Sequence, residues 1–161
     1  MSGPATLRES AATLLSREGL NPNDAPRLVR MLARAQDRTL APGEALFTEG
    51  APGDSMAILL EGQVRVTSPD AQGAPRELAV LDPPILMGYA TMIEGATRSA
   101  TVEAVGPARV ISIPHSVYTG WLNATGPDGD LLRDLLLGCM FRQLARTTED
   151  LQRLMTLAPK G

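Results

Sequence analysis

The chain has 161 residues, of which 43% are hydrophobic and 20% charged, with a formal net charge of -3 at pH 7. That length suits one globular domain with a sizeable core and excludes a second full one, while the acidic balance excludes a sequence-independent grip on nucleic acid, which needs clustered Lys and Arg. No apolar run approaches the roughly 20 residues that span a bilayer, and the N-terminus lacks the apolar core of a signal peptide, so the chain reads as cytoplasmic, with no membrane partner.

Three regions follow in chain order: an N-terminal helical segment (1–38), a β-rich middle (39–127) and a C-terminal helix with its tail (128–161). In the first, Ala11, Leu14 and Leu15 share a helix face, and Asp24 with Pro26 opens a second helix in which Leu28, Met31 and Leu32 recur at helical spacing. Arg27, Arg30, Arg34 and Arg38 form a basic row along it, a solvated face or a surface for an acidic protein partner. The middle region breaks into short strands at 45–48, 55–60, 63–68, 76–81, 99–105 and 108–113, separated by Gly, Pro, Asp or Asn turns. This spacing predicts a mainly β fold with flanking helices, an antiparallel β-roll or jelly roll of the double-stranded β-helix kind.

The last region reads as one long helix from Asp130 to Leu157, with Asp130 as N-cap and Pro127 and Gly129 before it as breakers. Leu137, Met140, Leu144, Thr147, Leu151 and Leu154 alternate at spacings of three and four, a heptad seam that predicts a homodimer. A second row, Leu132, Leu135, Leu136 and Cys139, faces the barrel. Cys139, the single cysteine, excludes an intramolecular disulfide and a multi-cysteine metal site.

The most chemically specific segment is Met87-Gly88-Tyr89-Ala90-Thr91-Met92-Ile93-Glu94-Gly95-Ala96-Thr97-Arg98-Ser99-Ala100. A glycine turn, a short helical turn and an Arg-Ser pair are what a small phosphate needs: backbone N–H groups at a helix start and a guanidinium that forks onto two oxygens. For Arg98 the alternative is an ordinary ion pair with Glu94 or Glu103. Taken with Ala41-Pro42-Gly43-Glu44, Glu49-Gly50-Ala51-Pro52-Gly53-Asp54-Ser55 and the run Ile58 to Val66, the segment resembles the cyclic-nucleotide-binding domain family. The resemblance covers roughly residues 24–157 and implies that Gly88, Ala90, Arg98 and Ser99 hold a cyclic nucleotide phosphate, cyclic AMP or cyclic GMP, with no other cofactor.

Tyr89 departs from that pattern. The family's usual residue there is a glutamate that accepts from the ribose 2′-hydroxyl, and the loss of such a contact weakens a ligand by about ten- to a hundredfold. The segment from Met140 to Leu151 is similar to the long dimer helix of the family's catabolite-activator branch, which implies that Thr147 and Thr148 cap the base. That branch carries a helix-turn-helix domain after this helix, for which the sequence leaves no room, so DNA binding by this chain is not expected. One histidine, His115, read as a surface or turn residue, gives no metal cluster, and Ser99, Ser112 and Ser116 lack a His-acid constellation. The expected function is a non-catalytic regulatory sensor that couples a ligand to helix and dimer geometry; the alternative is a degenerate, nucleotide-free module for protein interaction or assembly.

Overall fold

The computed structural model describes residues 5–157. Helix α1 (Leu7–Arg17) starts at a capping box in which the Thr6 hydroxyl accepts from the Glu9 N–H and Glu9 accepts from the Thr6 N–H; each bond satisfies a donor that a helix start leaves orphaned. After a short turn comes α2 (Ala25–Met31). Eight strands follow in the described residues: β1 (Gln36–Leu40), β2 (Ala45–Phe47), β3 (Ser55–Glu61), β4 (Val64–Pro69), β5 (Pro75–Leu81), β6 (Ile85–Met87), β7 (Thr101–Ala104) and β8 (Ala108–Pro114). Helix α3 (Tyr89–Glu94) interrupts them between β6 and β7, and α4 (His115–Leu122) and α5 (Pro127–Leu157) close the chain.

The strands form two four-stranded sheets, ordered β1-β8-β3-β6 and β2-β7-β4-β5, with every pairing antiparallel. This is the jelly roll that the turn spacing predicts. β3 shows why one strand serves two cores. Its side chains alternate, so Ala57 and Leu59 fill the space between the sheets, while Met56, Ile58 and Leu60 join the helices on the outer face. Leu132, Leu135, Leu136 and Cys139 of α5 lie in that second core beside Leu14, Leu15 and Leu28. The inner row of α5 therefore packs on a helical layer as well as on the sheet, where the sequence led us to expect the barrel alone.

Several boundaries differ from expectation. The helical segment does not run to residue 38: α2 ends at Met31, a turn of 3-10 helix holds Leu32–Arg34, and β1 pairs with β8 from Gln36. The arginine row is thus broken, with Arg38 on a strand near Glu44 (3.6 Å) and Arg27 paired with Asp24 (3.8 Å) and Asp128 (3.3 Å). β6 and α4 were not expected; His115 is the exposed residue that its place after Pro114 suggested, and it opens α4. Helix α5 begins at Pro127, not after an Asp130 N-cap. Proline suits a first helical position because its missing N–H would have no intrahelical partner there.

Candidate functional site

The chain turns from β6 into α3 at Gly88, whose φ of 78° is left-handed. Any Cβ at this position would also stand 2.8 Å from Arg98 Nη1 and 2.8 Å from the Phe47 ring. Glycine is required twice over, once by the backbone and once by the guanidinium beside it. Arg98 is held by its own main chain, which exchanges hydrogen bonds with Gly50 and Ala51, both at 2.9 Å. The glycine-rich loop after β2 is thereby the clamp that positions the arginine.

The Arg98 side chain is only 4% exposed. Nη1 donates to Thr91 Oγ1 at 2.7 Å and to the Gly88 carbonyl at 3.1 Å, Nη2 donates to the Ser55 carbonyl and to Ser55 Oγ at 3.4 Å, and the guanidinium stacks 3.8 Å from the Phe47 ring centre. Its nearest carboxylate is Asp54 at 4.0 Å, neither Glu94 nor Glu103, and Glu103 pairs with Arg65 at 3.5 Å. Burial lowers the pKa of Arg98 from its ordinary value, and Asp54 opposes the shift. A cation this enclosed is favoured by the carbonyls and the ring around it.

Arg98 lines a cavity of about 340 Å³ whose wall also includes residues of α3 and α5. Gly88, Tyr89, Ala90 and Ser99 line it too, so the structure brings all four proposed phosphate contacts and the proposed ribose position into one space. From α5 come Arg142, Gln143 and Arg146, and Glu18 reaches in from the end of α1. Sequence reasoning missed these four. Thr147 lines a neighbouring apolar groove of about 430 Å³ with Ile93, Leu137, Met140, Phe141 and Leu144, while Thr148 lines neither space. Both hydroxyls donate one helical turn back, Thr147 to the Gln143 carbonyl at 3.0 Å and Thr148 to the Leu144 carbonyl at 2.9 Å.

Tyr89 is buried, and its hydroxyl donates to Gln143 Oε1 at 2.7 Å with the Cys139 carbonyl at 3.2 Å as a second acceptor. The first residue of α3 is thus tied to α5 across the cavity. Burial, then the nearby Cys139 and Glu18, pushes its pKa up to about 12. It remains a neutral donor at physiological pH.

A family model described as the cyclic nucleotide-binding domain matches residues 37–125, from β1 through α4 and including the whole Gly88–Arg98 segment. The chain belongs to the cyclic nucleotide-binding domain family. It is 24% identical over 143 residues to a CRP-like cAMP-activated global transcriptional regulator of Mycobacterium tuberculosis, covering 88% of this chain and 62% of that protein. It is 33% identical over 101 residues to a cyclic nucleotide-gated potassium channel of Mesorhizobium japonicum, covering 63% of this chain and 26% of the channel. The chain therefore spans less than two thirds of either relative. Among solved structures, a cyclic nucleotide-binding domain from Methylobacillus flagellatus superposes with a TM-score of 0.77 at 21% identity, over 96% of this chain and 85% of that one. That likeness shows the shared fold. The family segment holds the β-roll side of the cavity, whereas Glu18 and the α5 residues lie outside it.

Proposed function

We propose that this cyclic nucleotide-binding family member is a non-catalytic regulatory sensor whose cavity takes a cyclic nucleotide. The phosphate docks at Gly88, Ala90, Arg98 and Ser99, and α5 carries the signal. The observation that supports this best is the buried Arg98 guanidinium, set beneath a glycine that no other residue could replace without displacing it. An arginine fork binds a phosphate through two parallel charge-assisted bonds. Its hydrogen-bond partners are two carbonyls and two hydroxyls, with the Asp54 carboxylate 4.0 Å away, and a phosphate oxygen is a stronger acceptor than any of those four neutral groups.

The signal follows from how α5 is attached. The cavity side of α5 touches the ligand space through Arg142, Gln143 and Arg146, and Tyr89 joins the same stretch to α3. A ligand that fills the cavity changes this joint only in so far as it binds one α5 position better than another. The exposed row Leu137, Met140, Leu144, Leu151 and Leu154 is the surface through which a homodimer would sense that change. Among the described residues no helix is long and apolar enough to cross a membrane. We place the module in the cytoplasm and, from its net charge of -3, assign it no DNA partner of its own. Thermal denaturation tests the reading: cyclic AMP or cyclic GMP at a hundredfold excess over its dissociation constant adds about 2.7 kcal/mol to stability. No shift with either nucleotide at millimolar concentration would favour the nucleotide-free interaction module.

A further inference from the structure

The fold leaves two members of the arginine row without a partner. Arg27 pairs with Asp24 and Asp128, and Arg38 with Glu44, whereas Arg30 and Arg34 are exposed and enter no ion pair among the described residues. Each lies in the last turn of its own element, Arg30 in α2 and Arg34 in the 3-10 turn that follows, where a cation suits the carbonyl end of the dipole. The dipole accounts for the charge of each residue. It does not account for their shared place, which is the wall of one groove.

That groove, of about 530 Å³, is lined by Arg30, Met31 and Arg34 and, from α4, by Val117, Gly120 and Trp121. Asp128 at the start of α5 lines it too, but Arg27 already pairs with that carboxylate at 3.3 Å. The uncompensated charge of the groove is therefore positive, on a chain whose net charge is -3. Gly120 keeps the space open. It lies inside α4, where glycine is a poor helix former, its φ is not left-handed, and a Cβ built on it would meet nothing within 4 Å. Unlike at Gly88, neither the backbone nor the packing asks for glycine. What the missing side chain leaves is room.

Two free guanidinium forks thus border an apolar lining of Met31, Val117 and Trp121. A bare phosphate would satisfy the arginines and leave that lining wet, and a purely apolar ligand would leave the arginines unpaired. Nucleic acid needs a longer run of cations than two arginines beside an aspartate. A peptide whose carboxylates flank a large apolar side chain satisfies both parts, the carboxylates accepting from the forks and the side chain covering the lining.

We propose that this groove docks an acidic segment of a partner protein, with Arg30 and Arg34 donating to its carboxylates and one of its apolar side chains seated against Met31, Val117 and Trp121. None of these residues lines the cavity around Arg98, so the inference does not depend on the cyclic nucleotide reading.

Trp121 is the only tryptophan of the chain, so its fluorescence reports on the groove. The probe is the capped peptide Gly-Glu-Asp-Leu-Phe-Glu-Asp-Gly, titrated into the full chain beside the same peptide with Gln and Asn in place of Glu and Asp. The acidic peptide should change the Trp121 emission saturably, with a dissociation constant of about 1 mM or tighter, and added salt should weaken it. The amide peptide should bind about tenfold more weakly. Arg30→Ala combined with Arg34→Ala changes two exposed positions, keeps the circular dichroism of the fold and should cost about tenfold in affinity for the acidic peptide, as expected for two exposed ion pairs. Gly120→Leu should abolish the response to the peptide and raise the melting temperature, because a good helix former then occupies the groove. A wild type that binds the acidic peptide no better than the amide one overturns the proposal, as does undiminished affinity in either variant. The same response to inorganic phosphate or to an oligouridylate at equal concentration overturns it by making the arginines a site for a bare anion or for nucleic acid. A light-scattering mass that halves in the double arginine variant overturns it in favour of a second copy of this chain.

Discussion

Helix α5 carries its apolar residues in two ways along one length. Leu132, Leu135, Leu136 and Cys139 are buried against α1, α2 and the outer face of β3, whereas Leu144, Leu151 and Leu154 are more than half exposed. Arg142, Gln143 and Arg146 stand where the first pattern gives way to the second, and they are the residues that reach the cavity. The inner end is anchored in the core. The outer end is not. A force applied at the cavity therefore acts on the part of the helix that is free to respond, which is the physical basis for assigning the signal to α5.

The largest effect that sharpens this contrast is on folding. Leu135→Ala empties a fully packed site and should cost about 2–5 kcal/mol, measured by denaturant unfolding. The same change at Leu157, which is 79% exposed and outside the proposed seam, should cost under about 0.5 kcal/mol. Equal costs would erase the distinction between the two ends.

Next in size is assembly. Leu144→Glu combined with Leu151→Glu places two charges in the proposed seam and should convert a dimer to a monomer in light scattering while the circular dichroism of the folded chain is kept. A wild-type monomer at high micromolar concentration would remove the seam from the account.

A smaller effect is expected at the joint between the halves. Tyr89→Phe removes the hydroxyl that donates to Gln143 and should cost about 1 kcal/mol. The same residue predicts a pH dependence. Its pKa rises from 10.0 to about 12 on folding, so the folded state keeps a proton that the unfolded chain loses. Stability from this source is complete below pH 10 and is lost as pH rises toward 12. Ultraviolet titration of phenolate formation should show a group near pH 12 in wild type that is missing in Tyr89→Phe. A Tyr89 that ionises near pH 10 would mean that the joint is open.

Much of this was legible because it is local. Gly88 and Arg98 sit in one short segment, so their order and spacing carry that part of the geometry into the sequence, while the Gly50–Ala51 clamp on Arg98 comes from far along the chain. β3 declared itself by its unbroken apolar run, and α5 by its two rows. What the sequence hid is of two kinds. β1 is Gln-Asp-Arg-Thr-Leu, mostly polar because one edge of it faces solvent, and α4 contains Val117, Thr119 and Gly120, whose propensities argue against a helix that packing nevertheless stabilises through Tyr118 and Trp121. The other kind is long-range. Glu18 reaches the cavity from the far end of the sequence, and the signal that could have pointed to it was Gly138, a glycine inside an otherwise good helix, which marks a close approach by something else.

The central claim is that Arg98 gives up its internal partners for a ligand phosphate. The most direct measurement is titration calorimetry of cyclic AMP against wild type and Arg98→Ala, each checked by circular dichroism for folding. The account predicts saturable binding by wild type, one nucleotide per chain, and a loss of more than about a hundredfold in Arg98→Ala, as expected for removal of a buried, bidentate anion contact. Binding of equal strength in a folded Arg98→Ala protein would contradict it.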